Sequence, residues 1–441
     1  MKSFKLGNKS FLRVDRANPC PICQKPDWCF LTSDFKKAYC CRQLDEDKPS
    51  IAGATEYILD ASSVKDVQIV EIPQIEQAPA HILHKVYSLV IELFGLTSEH
   101  LSHLMIQRGF NLDQTYLRGY TSFTSETLRK QIKKTEKIGD KLVGKTIWED
   151  LFVENGLPRD AWKGVAGFWY DTKNQTPIFA PTHNGIFIPN RNEFGQIIGG
   201  QIKVDEASMK YSAEVNDIWK DKARVVIKHV GKGQYHYTIY MYPDYDVYSE
   251  ATTPKKHLTF ENGLSFKIKS SAKYVWLSTS SKEYGCGAKN VPHYAFPDLV
   301  LAQARFDENG NGLVPLVELC QSVIVTEGLL KGDIIATQVP NTRLEKLGST
   351  LVISMAGVNS WKQVAYHLKT KTTFARVFLA FDSDFKDNDA VYNYLKQIIE
   401  FIHQQDKNKQ VSVFTWEVGK GLDDFLLSKE ALTLTVKAHK F

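Results

Sequence analysis

The sequence predicts a multidomain α/β protein with a cysteine-rich head, a helical connector, a β-rich basic region and a C-terminal parallel sheet flanked by helices. Three observations carry that prediction. Five of the seven cysteines fall within residues 20–41, strand-like runs broken by Gly and Asn occupy residues 165–300, and four strand–helix units follow one another after residue 320. A chain of 441 residues is also too long for one ordinary core. The expected divisions are a metal-binding head at 1–50, a linker at 51–80, a helical connector at 81–160, a β-rich subdomain at 161–312 and the α/β domain at 313–441.

In the head, Cys20, Cys23 and Cys29 are followed by the pair Cys40-Cys41. This spacing offers the four thiolates that tetrahedral Zn²⁺ takes, with Cys40 and Cys41 as alternatives for the fourth. An odd cysteine count crowded in this way argues for a metal site in a reducing cytoplasm. Trp28, Phe35, Lys36, Lys37 and Arg42 are the residues that would meet single-stranded DNA by stacking and charge.

In the connector, Ile82, Val86, Leu89, Val90 and Leu93, then Leu101, Leu104 and Met105, recur at helical spacing. Thr97 reads as an N-cap between two helices and Gly109 as a stop. Residues 126–145, "ETLRKQIKKTEKIGDKLVGK", read as a solvated helix or loop. Within them begins "GDKLVGKT", Gly139 to Thr146, which satisfies the phosphate-loop pattern G-x4-G-K-T. That loop works only between a buried strand and a helix, and a basic polar stretch precedes it here, so the match reads as coincidence.

Farther on, "SVIVTEG", "STLVISMAG", "RVFLAFDSD" and "QVSVFTWEV" read as buried strands, each followed by a helical segment. Sites in such sheets lie at the C-terminal ends of the strands. Glu327 ends the first strand and Asp382 the third, with Asp384 two positions on and Asp387 beyond. Clustered carboxylates repel unless a cation sits among them, and Mg²⁺ is the usual one. On that reading Asp382→Asn relieves repulsion and holds or raises the melting temperature in metal-free buffer.

Glu327-Gly328 after one strand and Asp382-x-Asp384 after a later one resemble the TOPRIM domain shared by DnaG-type primases, topoisomerases and some nucleases. The resemblance covers roughly residues 315–430. "GKGLDDFLL", with Asp423 and Asp424, is similar to the further acidic segment of primases. Upstream, "GIFIPNRNEFGQIIGGQIKVD" and "KYVWLSTSSKEYGCGAKNVPHYA" resemble segments that precede TOPRIM in DnaG-type primases. They are most similar to the primase-like proteins of plasmids, phages and other mobile elements. Two departures stand out: Gln201 occupies the family's Arg position, and about sixty residues separate the two segments.

The resemblance implies a DNA primase-like nucleotidyltransferase that makes short primers on single-stranded DNA in replication of a mobile genetic element. The head would be its zinc finger, with Cys40 as fourth ligand because Arg42 matches a Cys-x-Arg pattern, and residues 161–312 a β-rich primase-core subdomain. Glu327, Asp382 and Asp384 would hold Mg²⁺ or Mn²⁺, with Asp333 and Asp424 as supporting acids. Arg191, Lys203, Lys273 and Lys282 would meet template or nucleotide phosphates. Expected partners are single-stranded DNA, nucleoside triphosphates and a replicative helicase supplied in trans. The alternatives are a TOPRIM nuclease, with water as nucleophile, and a catalytically decayed DNA-binding replication protein.

Composition sets the outer bounds. At 43% hydrophobic and 24% charged the chain is globular, and a net charge of +5 permits a nucleic-acid partner without demanding one. No run of eighteen apolar residues suggests a membrane span, and "MKSFKLGNKSFLRVDR" lacks the apolar core of a secretory signal. The expected location is the cytoplasm.

Overall fold

The computed structural model describes residues 2–6, 9–14, 18–24, 29–41, 43, 50–51, 54–59, 70–71, 75–133, 136–138, 141–231, 233–280, 282–357, 361–370, 374, 376–383, 389–405, 409–428, 431 and 436–440. The chain folds as two units. One contains residues 1–75, 204–275 and 279–286, and the other 76–203, 276–278 and 287–441. The architecture is mixed α/β, with a four-cysteine cluster near the N-terminus and a C-terminal sheet that is largely parallel.

The C-terminal sheet positions the candidate site. Its strands are β1 (His293–Ala295), β2 (Ser322–Glu327), β3 (Thr350–Met355), β4 (Arg376–Leu379), β5 (Gln410–Thr415) and β6 (Lys437–Lys440). The helices are α1 (Leu329–Gln338), α2 (Trp361–Thr370), α3 (Asp389–Gln405) and α4 (Leu422–Leu426). The sheet order is β1-β3-β2-β4-β5-β6; the four inner strands run parallel and both edge strands antiparallel.

Side chains alternate across each strand, and both faces are covered. Val323, Val325, Leu351, Ile353, Val377 and Leu379 pack with Val364 and Leu368 of α2 and Leu395, Ile398 and Ile402 of α3. Ile324, Val352, Phe378 and Phe414 pack with Ile335 and Ala336 of α1 and Leu422 and Phe425 of α4. Burial on both faces is why these strands read as continuous apolar runs. The chain leaves β2 for β3 on one side and returns to β4 on the other. Between β2 and β4 the strand order therefore reverses, which opens a crevice at the C-terminal ends of those two strands.

The connector, expected to be mainly helical, also contains strands. Helices Ala80–Phe94, Ser98–Ser102 and Leu112–Arg118 are present, with a π-helical turn at His103–Gln107. Thr97 caps as expected, accepting the His100 amide. Thr121–Phe123, however, is a strand paired antiparallel with Gly185–Arg191, and Glu136–Ile138 pairs with Lys141–Val143 as a hairpin. That hairpin settles the phosphate-loop match. Lys141–Val143 lies inside the motif as a strand, and Thr146 is buried, donating to the Pro177 carbonyl at 2.6 Å. Gly139 lies outside the described residues.

The β-rich stretch expected as one subdomain at 161–312 is divided between the two units. Residues 204–275 build a core of their own from Val225, Ile227, Tyr235, Tyr237, Ile239, Phe266 and Ile268. It lies between the meander Ala223–Gly231, Gln234–Met241, Asp246–Thr253 and a second three-stranded sheet. The two ends of this insertion meet, with the Val204 amide donating to the Lys273 carbonyl at 2.8 Å. An insertion with its own core accounts for the length between Val204 and Lys273.

Candidate functional site

The crevice between β2 and β4 gathers the acids. Glu327 is the last residue of β2, and Gly328, at φ +85°, turns the chain directly into α1. Asp382 follows β4 and is buried. Its loop is pinned to the loop after β5, because the Ser383 amide donates to the Lys420 carbonyl at 2.8 Å. Two lysines hold the Asp382 carboxylate. Lys331, in the first turn of α1, donates to Oδ1 at 2.5 Å, and Lys420 approaches Oδ2 at 3.2 Å.

Asp423, in α4, completes the group. It is 2% exposed, and its Oδ1 is buried with no hydrogen-bond partner. A methyl group at Gly421 would lie 2.2 Å from that Oδ1, 3.2 Å from Asp382 Oδ1 and 3.3 Å from Lys331 Nζ. Asp423, Asp382 and Lys331 thus crowd one point, which only glycine leaves open. Arg108, at the end of the π-helical turn, acts on Asp423 through its charge. Its Nε is buried without a partner, as is Nε2 of His103.

The electrostatics follow from burial and these neighbours. Burial, then the charge of Asp382, pushes the Glu327 carboxyl upward. Burial pushes Asp382 the same way, but its bonds and charge pairing with Lys331 and Lys420 outweigh that and hold it below the usual range. Asp423 is pushed up to about 6 by burial and by the Asp424 and Asp382 charges, against the opposing pull of Lys331 and Arg108. Glu327, Asp382 and Asp423 are hard-oxygen donors, the type Mg²⁺ or Mn²⁺ takes, but their oxygens are not drawn together as the head's sulfurs are. Asp384 and Asp387 lie outside the described residues.

The head carries a different kind of site. The sulfurs of Cys20, Cys23, Cys29 and Cys40 all lie within 4.8 Å of one another. Cys23 and Cys29 are 3.7 Å apart and Cys29 and Cys40 3.8 Å. A tetrahedron with metal–sulfur bonds of about 2.3 Å has edges of about 3.8 Å, so the cluster can hold Zn²⁺ without rearrangement. Cys40 is in the cluster; the Cys41 amide instead donates to Cys29 Sγ at 3.4 Å, and the Gln43 amide to Cys40 Sγ at 3.2 Å. Such amides orient and stabilise thiolates. Burial pushes the Cys20 thiol up to about 11, so a bound cation is what would hold it as thiolate near neutral pH. Among the described residues this is the one group of three or more His, Cys, Asp or Glu side chains drawn this tightly together.

Several expected site residues do something else. Asp333 is saturated: Arg118 donates to Oδ1 at 2.6 Å, Tyr120 to Oδ2 at 2.7 Å, and His293 Nε2 lies 3.2 Å from Oδ1. The Arg191 amide donates to His293 Nδ1, which leaves the ring proton on Nε2, facing Asp333. Burial opposes ionisation of Asp333, yet the Arg118 charge and these bonds bring it down to about 2. It is a structural hub rather than a supporting acid.

Arg191 is likewise no phosphate ligand. It is buried, and its guanidinium donates to the carbonyls of Gly195, Leu117 and Arg118. Asp424 points outward, accepting the Gly421 amide at 3.3 Å, so the inward acid is its neighbour Asp423. Lys203 is half-buried, and its charge acts on His103, as Arg108's does. Lys273 and Lys282 are exposed and belong to the other unit. In the head, Lys36 is exposed, but Lys37 pairs with Glu56 at 2.5 Å and Phe35 packs against the cysteine core. Trp28 and Arg42 lie outside the described residues.

Lys331, Lys420 and Arg108 went unread in the sequence, and Asp423 was read only as part of the acidic segment, with Asp424 taken as the supporting acid. Of the three cations only Lys331 had a signal: four residues beyond Glu327, it returns to the strand end after one helical turn.

The family model described as Domain of unknown function (DUF3854) matches residues 320–432, which is β2 to α4 and the whole acidic crevice. A comparison with curated proteins finds no match. Among the described residues, no helix is long and apolar enough to cross a membrane.

Proposed function

We propose that the C-terminal sheet is a TOPRIM-type catalytic domain and that the chain is a DNA primase-like nucleotidyltransferase of a mobile genetic element. One observation carries this reading: Glu327 and Asp382 converge at the crevice where the strand order reverses, with Asp423 and two lysines beside them. Glu327, Asp382 and Asp384 would hold Mg²⁺ or Mn²⁺, which when bound neutralises phosphate charge and acidifies the attacking hydroxyl. In the reaction a primer 3′-oxygen bonds to the α-phosphorus of the next nucleotide, and the bond to pyrophosphate breaks. Glu327, whose carboxyl is pushed upward, is placed to take the hydroxyl proton. The head would hold Zn²⁺ and contact single-stranded template through a surface that includes Lys36. A replicative helicase would come from a partner.

The test is incubation of the full chain with single-stranded circular DNA, Mg²⁺ or Mn²⁺ and labelled nucleotides. Short labelled primers are expected. Cleavage of the DNA without primers would select a nuclease built on the same acids.

A second reading, a DNA-binding replication protein without catalysis, is favoured by the two lysines already neutralising Asp382. DNA binding with neither primers nor cleavage would select it.

A further inference from the structure

Lys331 and Lys420 are out of place in a simple metal cage. Each puts an ammonium where a divalent cation would approach Asp382, and the two occupy both carboxylate oxygens. They differ from the buried Arg118 in reach. Their side chains are 29% and 62% exposed, on flexible stems that can swing toward solvent without leaving the site.

The local charge count explains why they are there. Glu327, Asp382 and Asp423, with Asp424 acting on Asp423 from outside, face Lys331, Lys420 and Arg108, four carboxylates against three cations. The crevice is therefore close to neutral by itself. A divalent cation added to the carboxylates turns the balance positive, and the displaced ammoniums then need new anions. Arg108 already has an unpartnered buried Nε near Asp423, and His103 an unpartnered Nε2 close to Arg108 and Lys203. The buried, orphaned Oδ1 of Asp423 marks the same point as incompletely coordinated.

We propose that Lys331, Lys420 and Arg108 form a phosphate cradle, and that the two lysines keep Asp382 paired until a divalent cation takes the carboxylate and frees them for the polyphosphate of a nucleoside triphosphate. The inference rests on the metal-and-phosphate site proposed above. It makes the lysines competitors of the metal and partners of the phosphate. Removing one has opposite effects on the two ligands, which a merely structural lysine would not produce.

The experiment uses the full zinc-loaded chain and the variants Lys331→Gln and Lys420→Gln. The second changes a well-exposed side chain and covers the case in which the first fails to fold. Mn²⁺ alone is titrated and free ion read by electron paramagnetic resonance. Tighter binding is expected, by roughly fivefold, from loss of a competing charge. ATP and a single-stranded oligonucleotide without a 5′ phosphate are then titrated at saturating Mn²⁺. ATP is expected to bind about tenfold more weakly to the variants, from loss of a charge-assisted hydrogen bond.

Weakening of the oligonucleotide alone keeps the cradle but assigns it to backbone phosphate. Unchanged Mn²⁺ affinity in both variants overturns the place-holding role, and unchanged ATP and oligonucleotide affinity overturns the cradle. ATP binding that depends on the lysines, in a protein that makes no primers, leaves the cradle standing and the primase reading fallen. Primers made at the wild-type rate by both variants would do the reverse.

Discussion

Asp333 and Asp382 are both buried, both ionised and both held by cations, yet they are built for different ends. Asp333 is closed. Its partners Arg118, Tyr120 and His293 are themselves buried, and Arg118 is further fixed by Asp298 and Thr337. Asp382 is open. Its partners are two lysines with solvent access, and beside it lies an acid with an orphaned oxygen. A fully satisfied polar network rigidifies a core, whereas a partly satisfied one held by mobile side chains is ready to exchange partners. The same contrast separates the head from the sheet edge. Four sulfurs within 4.8 Å of one another form a closed set, whereas the acids of the sheet edge are not gathered so tightly.

The closed sites should fail by unfolding. The largest effect is expected in the head: metal analysis should find one zinc per chain, and chelation should abolish the head's cooperative unfolding, because metal binding there is folding free energy. Zinc-free protein with an unchanged head transition would break the comparison.

Next in size, Asp333→Asn strands the buried Arg118 charge and should lower stability by about 3–5 kcal/mol in urea melts. The pH dependence has a defined sign. A carboxyl at about 2 in the fold and about 3.9 unfolded contributes fully above about pH 4. That contribution is lost as pH falls through 2. Acid melts in which the wild type and Asp333→Asn stay equally far apart down to pH 2 would contradict the hub.

Asp423 should behave the other way. Its carboxyl, raised to about 6, favours the fold below about pH 4, and that advantage disappears as pH rises through 6. Asp423→Asn should therefore melt higher than wild type at pH 8, by an amount on the order of 1–2 kcal/mol. The gain should shrink toward pH 4; a variant less stable at pH 8 would show that Asp423 is closed after all. Smallest of all, Lys145→Ala should leave any nucleotidyl transfer intact, since its motif runs through a hairpin strand.

Much of the α/β domain was legible in the sequence because burial on both faces of a parallel sheet writes itself as apolar runs. Strand ends then located Glu327 and Asp382, and cysteine spacing located the cluster. What escaped depended on distant or angular information. Asp333 looked like a site acid because its partners Tyr120 and Arg118 lie 213 and 215 residues away in sequence. Arg191 looked like a phosphate-binding cation because two of the three carbonyls it meets, those of Leu117 and Arg118, lie more than seventy residues away. Asp423 and Asp424 are adjacent, and only the phase of a short helix decides which faces in. The expectation that Asp382→Asn relieves repulsion also needs revision, since Lys331 and Lys420 already compensate that charge.

The most direct test follows from that revision. Wild type and Asp382→Asn are assayed for primer synthesis on single-stranded circular DNA, and the same preparations are melted in metal-free buffer. If Asp382 grips a catalytic metal, removing its charge should cost on the order of 3–4 kcal/mol in the barrier, two to three decades in rate. Losing two ion pairs to part-exposed lysines should change stability by no more than about 1 kcal/mol. Primers from the wild type, none from the variant and nearly coincident melts are the predicted result. Primers made equally well by both proteins would reduce Asp382 to a turn residue and contradict the account.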